Sequence, residues 1–103
     1  MMSNIQYIQI LNSTRAEKLY MAKFYDGLRN LVKTTHFGSK QGRNYIIHRD
    51  DDIKDAWIAR HQIRGNFDKP TSASALARWL LWNKKTLSLS FKSYLRRFGL
   101  KEY

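Results

Sequence analysis

From Lys18 to Tyr25 the chain alternates. Tyr20, Ala22 and Phe24 fall on one side of an extended backbone, and Leu19, Met21, Lys23 and Tyr25 fall on the other. That period of two marks a strand. Leu31 to Phe37 is a second run, rich in Val and Thr. The Asp26-Gly27 pair between them reads as a turn, because glycine accepts a positive φ without a Cβ clash. Gly38 to Asn44 is a loop with two glycines, and Tyr45 to His48 reads as a short third strand. Together these segments predict an antiparallel meander. Ile5 to Leu11 is a candidate edge strand, although its apolar positions 5, 7, 8, 10 and 11 do not choose between the two periods.

Beyond residue 49 the period lengthens. Asp50-Asp51-Asp52 opens a segment that places Ile53, Ala56, Trp57 and Ile63 near one helical face. Carboxylates in a first turn satisfy free N–H groups and suit the positive end of the helix dipole. Arg60 and Arg64 suit the other end, and Gly65-Asn66 stops the helix. Pro70-Thr71-Ser72 starts a second helix, whose Ala73, Leu76, Ala77, Leu80 and Leu81 follow the i, i+3, i+4, i+7, i+8 pattern. Trp79 and Trp82 widen its apolar face, which makes it the central core element. Thr86 caps a third helix lined by Leu87, Phe91, Tyr94, Leu95 and Phe98, and Gly99 sits where a C-terminal cap belongs. Leu87 to Phe91 also alternates like a strand, but length and the later periodicity favour helix. The expected fold is α+β in a single domain over residues 1–103. A small antiparallel sheet of three to four strands (1–49) is followed by three packed helices (50–103).

Composition narrows the chemistry. The chain has 103 residues and no cysteine, which excludes a disulfide framework, cysteine zinc sites and a thiol nucleophile. The most apolar stretch, Ala73 to Trp82, is interrupted by Ser74 and Arg78, and a bilayer span needs about 20 apolar residues. The N-terminal residues lack a basic start followed by an apolar run, so no secretory leader is read. The expectation is a soluble protein of a reducing compartment, not secreted and with no membrane partner.

Charge changes the picture most. Nineteen Lys and Arg face eight Asp and Glu, a formal net charge of +11. Residues 1–49 carry eight basic and two acidic side chains, residues 50–55 one lysine and four aspartates, and residues 56–103 ten basic and two acidic. Half the acid is thus gathered at one helix start, and the rest of the surface is almost purely cationic. A surface of one sign repels itself unless a partner supplies anions. Nucleic acid is the leading partner, because neutralising its phosphates releases condensed counterions. An acidic protein, an anionic surface and mere solubility are the other readings. The candidate contacts are Lys84 and Lys85, just before the third helix, and Lys92, Arg96 and Arg97 along it. Arg60, Arg64, Lys40 and Arg43 assist, the last two on the two-glycine loop, whose backbone can approach a ligand closely.

Other chemistry is thinner. The second and third helices can be read as a helix-turn-helix, a weak signal because many small helical folds place two helices this way. Trp79 and Trp82 read as core. Tyr20, Phe37 and Tyr45 suit either base stacking or sheet-to-helix packing. His36, His48 and His61 are separated by eleven and twelve residues, unlike a short helix-based metal motif. His48 with Asp50 suggests metal or acid–base work, against which stands the capping role of acids at a helix start. Neither a nucleophile elbow, a phosphate-binding loop nor a zinc-binding H-E-x-x-H pattern is present. The expectation is therefore a non-catalytic protein without cofactor or metal.

Three strings carry a resemblance: Thr35-His36-Phe37-Gly38; Ile47-His48-Arg49-Asp50 running to Ile58-Ala59-Arg60-His61; and Ala77-Arg78-Trp79-Leu80-Leu81-Trp82-Asn83-Lys84 with Thr86-Leu87. Over roughly residues 18–98 the chain resembles a family of small basic proteins encoded by nucleocytoplasmic large DNA viruses, the giant viruses. The resemblance carries no catalytic residue or cofactor. It implies a viral protein that works near a large DNA genome, so DNA stands ahead of RNA as partner. Such a protein would coat packaged DNA or, alternatively, act as a structural virion protein that cements a capsid or core by binding an acidic protein surface. It would reside in the virion or in the host cytoplasm or nucleus.

Overall fold

The computed structural model describes residues 4–103. Strands β2 (Lys18–Asp26) and β3 (Leu31–Ser39) form the hairpin that the alternation predicts, with Tyr20 opposite Phe37 and Ala22 opposite Thr35. Asp26 builds the turn: its Oδ1 accepts the backbone N–H groups of Leu28 and Asn30, both at 2.9 Å. The Asn30 N–H foremost holds this carboxyl below its usual range. The left-handed residue is Arg29, at φ 66°, and not the glycine the turn reading favoured. The reason is loop length. The Arg29 N–H bonds back to the Asp26 carbonyl, and in a three-residue loop it is the residue after the turn that flips to positive φ.

Strand β1 (Ile5–Asn12) pairs antiparallel with β2. It is not an edge strand, because β4 (Lys101–Glu102) pairs with it on the other side, in parallel, giving the order β3-β2-β1-β4. The sheet is therefore mixed. Gly99, at φ 65°, turns the chain after the last helix; Leu100 is buried, and Lys101 comes to lie beside Tyr7.

Tyr45 to His48 is a helical turn, α1, rather than a third strand. Four residues are too few to display a period, and the local hydrogen bonds decide. The Asn44 side chain accepts the Ile47 N–H, and Arg49 closes the turn in the left-handed region. Helix α2 (Asp51–His61) starts as the acid cluster predicts, with the Asp50 carboxylate accepting the N–H groups of Asp52 and Ile53. It stops at His61, short of Gly65. Ile53 and Ile63 are exposed, so Trp57 carries its packing.

Ser72 caps α3 (Ala73–Leu76), and the helix then continues as a π turn over Ala77–Leu81. Ala75, Leu76, Leu80 and Leu81 are all buried. Partners five apart would be rotated by about 140° in an α-helix, and the wider turn brings them back to one side. The expected set instead used Ala73, which is exposed, and Ala77, which is half-buried. Helix α4 (Leu87–Phe98) matches its predicted caps: Thr86 accepts the Leu89 N–H and Gly99 is left-handed. Among the described residues four helical segments, not three, accompany the sheet, and the class is α+β. The core joins Ile8, Ala22, Phe24 and Phe37 of the sheet to Leu76, Leu80, Leu81, Trp82 and Tyr94. Tyr94 is fully buried, and its hydroxyl donates to the Pro70 carbonyl at 2.9 Å. Among the described residues no helix is long and apolar enough to cross a membrane.

Candidate functional site

A hollow of about 530 Å³ lies where the end of β3, the two-glycine loop, α2 and α3 meet. Its floor is apolar, with Phe37, Leu81 and Trp82 buried and Trp57 half-buried. Its rim is cationic: Lys18, Arg43 and Arg60, with His61 beside them. Among the described residues no Asp or Glu lines it. Each rim residue has a local cause. Lys18 opens β2, and the hairpin register sets it opposite Ser39, at the mouth of the loop. Arg43 precedes the Asn44 cap of α1, and Arg60 lies in the last turn of α2. Gly38 lets β3 close over the floor. It sits at φ 80°, and a Cβ there would lie 2.9 Å from Leu81 Cδ1. Such a concave, low-dielectric wall of one sign concentrates the field on an incoming anion.

Aromatic rings run from this rim into the core. His61 stacks on Trp57 with centroids 4.0 Å apart and planes 17° off parallel. Trp57 stacks on Trp82 at 4.8 Å and 9°. His61 is exposed and Trp82 is buried, so the column leads from surface to interior. The His61 ring is pinned by a 2.8 Å contact between Nδ1 and the Trp57 carbonyl.

A second hollow, of about 340 Å³, adjoins the first, with Ala73 at the start of α3 lining both. Arg15, Lys33, Lys69 and His36 line it together with Thr34 and Thr71, again with no Asp or Glu among the described residues. Hydrogen bonds from Thr35 Oγ1 to the Thr71 carbonyl, 2.8 Å, and between Ser13 Oγ and His36 Nδ1, 2.7 Å, hold its walls. A third hollow, of about 620 Å³ between β1 and the start of α4, is different: among the described residues Glu102 is the charged side chain that lines it.

Of the residues the sequence singles out, Arg43 and Arg60 line the cleft. Lys40 and Arg64 are exposed outside it. Lys84 and Lys85 are exposed on the connector before α4, where Arg49 Nε donates to the Lys85 carbonyl at 3.2 Å. Lys92, Arg96 and Arg97 are exposed on α4, and none of these five lines the cleft. The Arg97 guanidinium lies 3.5 Å from the centroid of the Trp79 ring, and that of Arg78 lies 4.1 Å from it. Burial, and then the Arg97 charge, push the Arg78 pKa down. Lys18, Trp57, His61, Arg15, Lys33 and Lys69 were not read from the sequence as site residues. The signal for Lys18 was present, since pairing the two predicted strands across their turn sets it beside the glycine loop.

The remaining candidates have structural partners. Phe37 and Tyr45 are buried, and Tyr20 packs on Phe37 at 5.8 Å. Trp82 is buried, and Trp79 Nε1 donates to the Phe67 carbonyl at 2.8 Å. His48 Nδ1 accepts the Asp50 N–H at 2.9 Å, while the Asp50 carboxylate caps α2. Asp51 accepts the Tyr45 hydroxyl at 2.6 Å, which lowers its own pKa and raises that of the tyrosine. Among the described residues no three His, Asp or Glu side chains gather closely enough to share a metal ion.

A family model matches residues 8–61, just over half of the chain, from β1 to the end of α2. The chain belongs to a family of unknown function, DUF5754. The DUF5754 match takes in Lys18, Arg43, Arg60 and His61, whereas Leu81 and Trp82 of the floor lie beyond it. No curated protein and no solved structure matches the chain.

Proposed function

We propose that the protein is a non-catalytic nucleic-acid-binding protein that holds the phosphate backbone in the cationic cleft and its adjoining hollow. One observation carries the reading: Lys18, Arg43 and Arg60 converge on one concavity that, among the described residues, no Asp or Glu lines. Arg15, Lys33 and Lys69 in the adjoining hollow extend it into a path of six cations around Ala73. Backbone phosphates are the ligand such a path suits, because each neutralised phosphate releases counterions and base identity does not enter. The cations of the connector and α4 lie outside the cleft and add to the overall field without shaping the site. With the resemblance to giant-virus proteins, viral DNA is the first polymer to offer.

The test is a titration of labelled oligonucleotide with protein across a salt series. Contact with about six phosphates makes affinity fall on the order of several hundredfold or more between about 50 and about 200 mM salt. A flat response, or no binding at low ionic strength, removes the proposal. Capture of an acidic protein in place of polynucleotide would assign the cleft to that partner.

A further inference from the structure

We infer that the cleft takes an unpaired nucleobase with its flanking phosphates, so that the polymer it selects is single-stranded. This rests on the phosphate-binding reading above and specifies its ligand. A site for duplex backbone needs only surface cations, because paired bases are stacked inward and never meet the protein except at groove edges. The cleft offers more than that. Its floor is Phe37, Leu81 and Trp82, and its volume of about 530 Å³ lies inside the range of about 300–1,000 Å³ typical of pockets that enclose a small organic ligand.

The aromatic column supplies the face. His61, Trp57 and Trp82 stack in near-parallel planes, with His61 exposed at the outer end. A base that lies on His61 would continue a stack that the protein has already begun. Every base has a π-face, so this contact tolerates any sequence. The cations stand where the backbone of that nucleotide would pass. Arg60 is the immediate chain neighbour of His61, and Arg43 and Lys18 line the same hollow. Stacking surface and phosphate ligands, which single-strand binders combine, thus meet in one place. By contrast, none of the five cations of the connector and α4 lines this hollow.

The experiment uses the full chain and three labelled probes at one salt concentration: a single-stranded DNA of mixed sequence, the RNA of the same sequence, and a DNA hairpin duplex of equal phosphate number. The expected result is tighter binding of both single strands than of the duplex. Similar values for DNA and RNA mean that the base and phosphate suffice, and a difference assigns the sugar a part in choosing between the two polymers. His61→Ala lowers single-strand affinity about 5- to 140-fold, the range seen when one stacking ring is removed, and pulls the single-strand-to-duplex ratio towards one. His61→Tyr restores it, because a larger ring recovers the stack. His61 is exposed, so these substitutions leave the core intact, and a thermal melt of each variant verifies this. Equal affinity for single strand and duplex, or an unchanged ratio in His61→Ala, overturns the inference and leaves phosphate binding standing. Failure to bind any probe overturns both.

Discussion

The cleft and the α4 surface make opposite forecasts for one perturbation. In Lys18→Gln/Arg43→Gln/Arg60→Gln the three rim charges vanish while most of each side-chain stem remains to cover the floor. Six cations line the two adjoining hollows. For a single strand each phosphate contact contributes about −0.7 to the slope of log K against log salt, so six give about −4, or roughly 300-fold between about 50 and about 200 mM. With three contacts left the slope is about −2, and the same salt step costs only about 20-fold. Lys92→Gln/Arg96→Gln/Arg97→Gln removes an equal charge from α4 and should leave the slope near −4. Fluorescence anisotropy with one labelled oligonucleotide, measured at five or more salt concentrations, reads both slopes directly. If the α4 variant flattens the line and the cleft variant does not, the polymer lies on α4, as charge counting along the sequence alone suggests, and the cleft reasoning is refuted.

Three further outcomes concern the scaffold. Gly38→Ala and Gly99→Ala both put an alanine at positive φ, but only the first also drives a Cβ into Leu81. Urea melts should show about 1 kcal/mol lost at Gly99 and about 2–4 kcal/mol at Gly38, where strain and overpacking add; equal losses would contradict the close approach. Tyr94→Phe removes the bond to the Pro70 carbonyl and should cost about 0.5–1.5 kcal/mol by the same assay. Asp26 and Asp51 have carboxyl pKa values below the ordinary 3.8, held there chiefly by the Asn30 N–H and the Tyr45 hydroxyl. Their contribution is therefore complete above that ordinary value and is lost as pH falls through the lower folded values. Asp26→Asn should flatten this acid limb in pH-dependent melts, and an unchanged limb would place the proton uptake elsewhere.

What could be read from the chain alone depended on how far each signal reached. The β2–β3 hairpin and helices α2 and α4 were legible because their periods run for seven residues or more and their caps are local. The helical turn at Tyr45 was not, since its sense comes from the Asn44 side chain and the left-handed Arg49. Strand β4 is two residues long and owes its existence to a partner more than ninety positions away. The site shows the same division. Arg43 and Arg60 stood out because they sit beside recognisable punctuation, a glycine loop and a helix end. Lys33 and Lys69 come from a strand and a loop with no such mark, and only the packing of α3 against β3 brings them to one hollow.

The π turn makes the second half of the molecule unforgiving about length. Trp82 N–H reaches back to the Ala77 carbonyl, five residues earlier, so the segment holds one residue more than a regular turn could seat. Deleting a single position between 77 and 81 would satisfy the ladder yet swing every later side chain by about 100° about the axis. Trp82 would leave the bottom of the aromatic stack, and the connector would enter α4 out of step. A shortened variant should therefore keep its helical circular dichroism while losing the cleft, whereas substitutions that preserve the count leave the phasing alone.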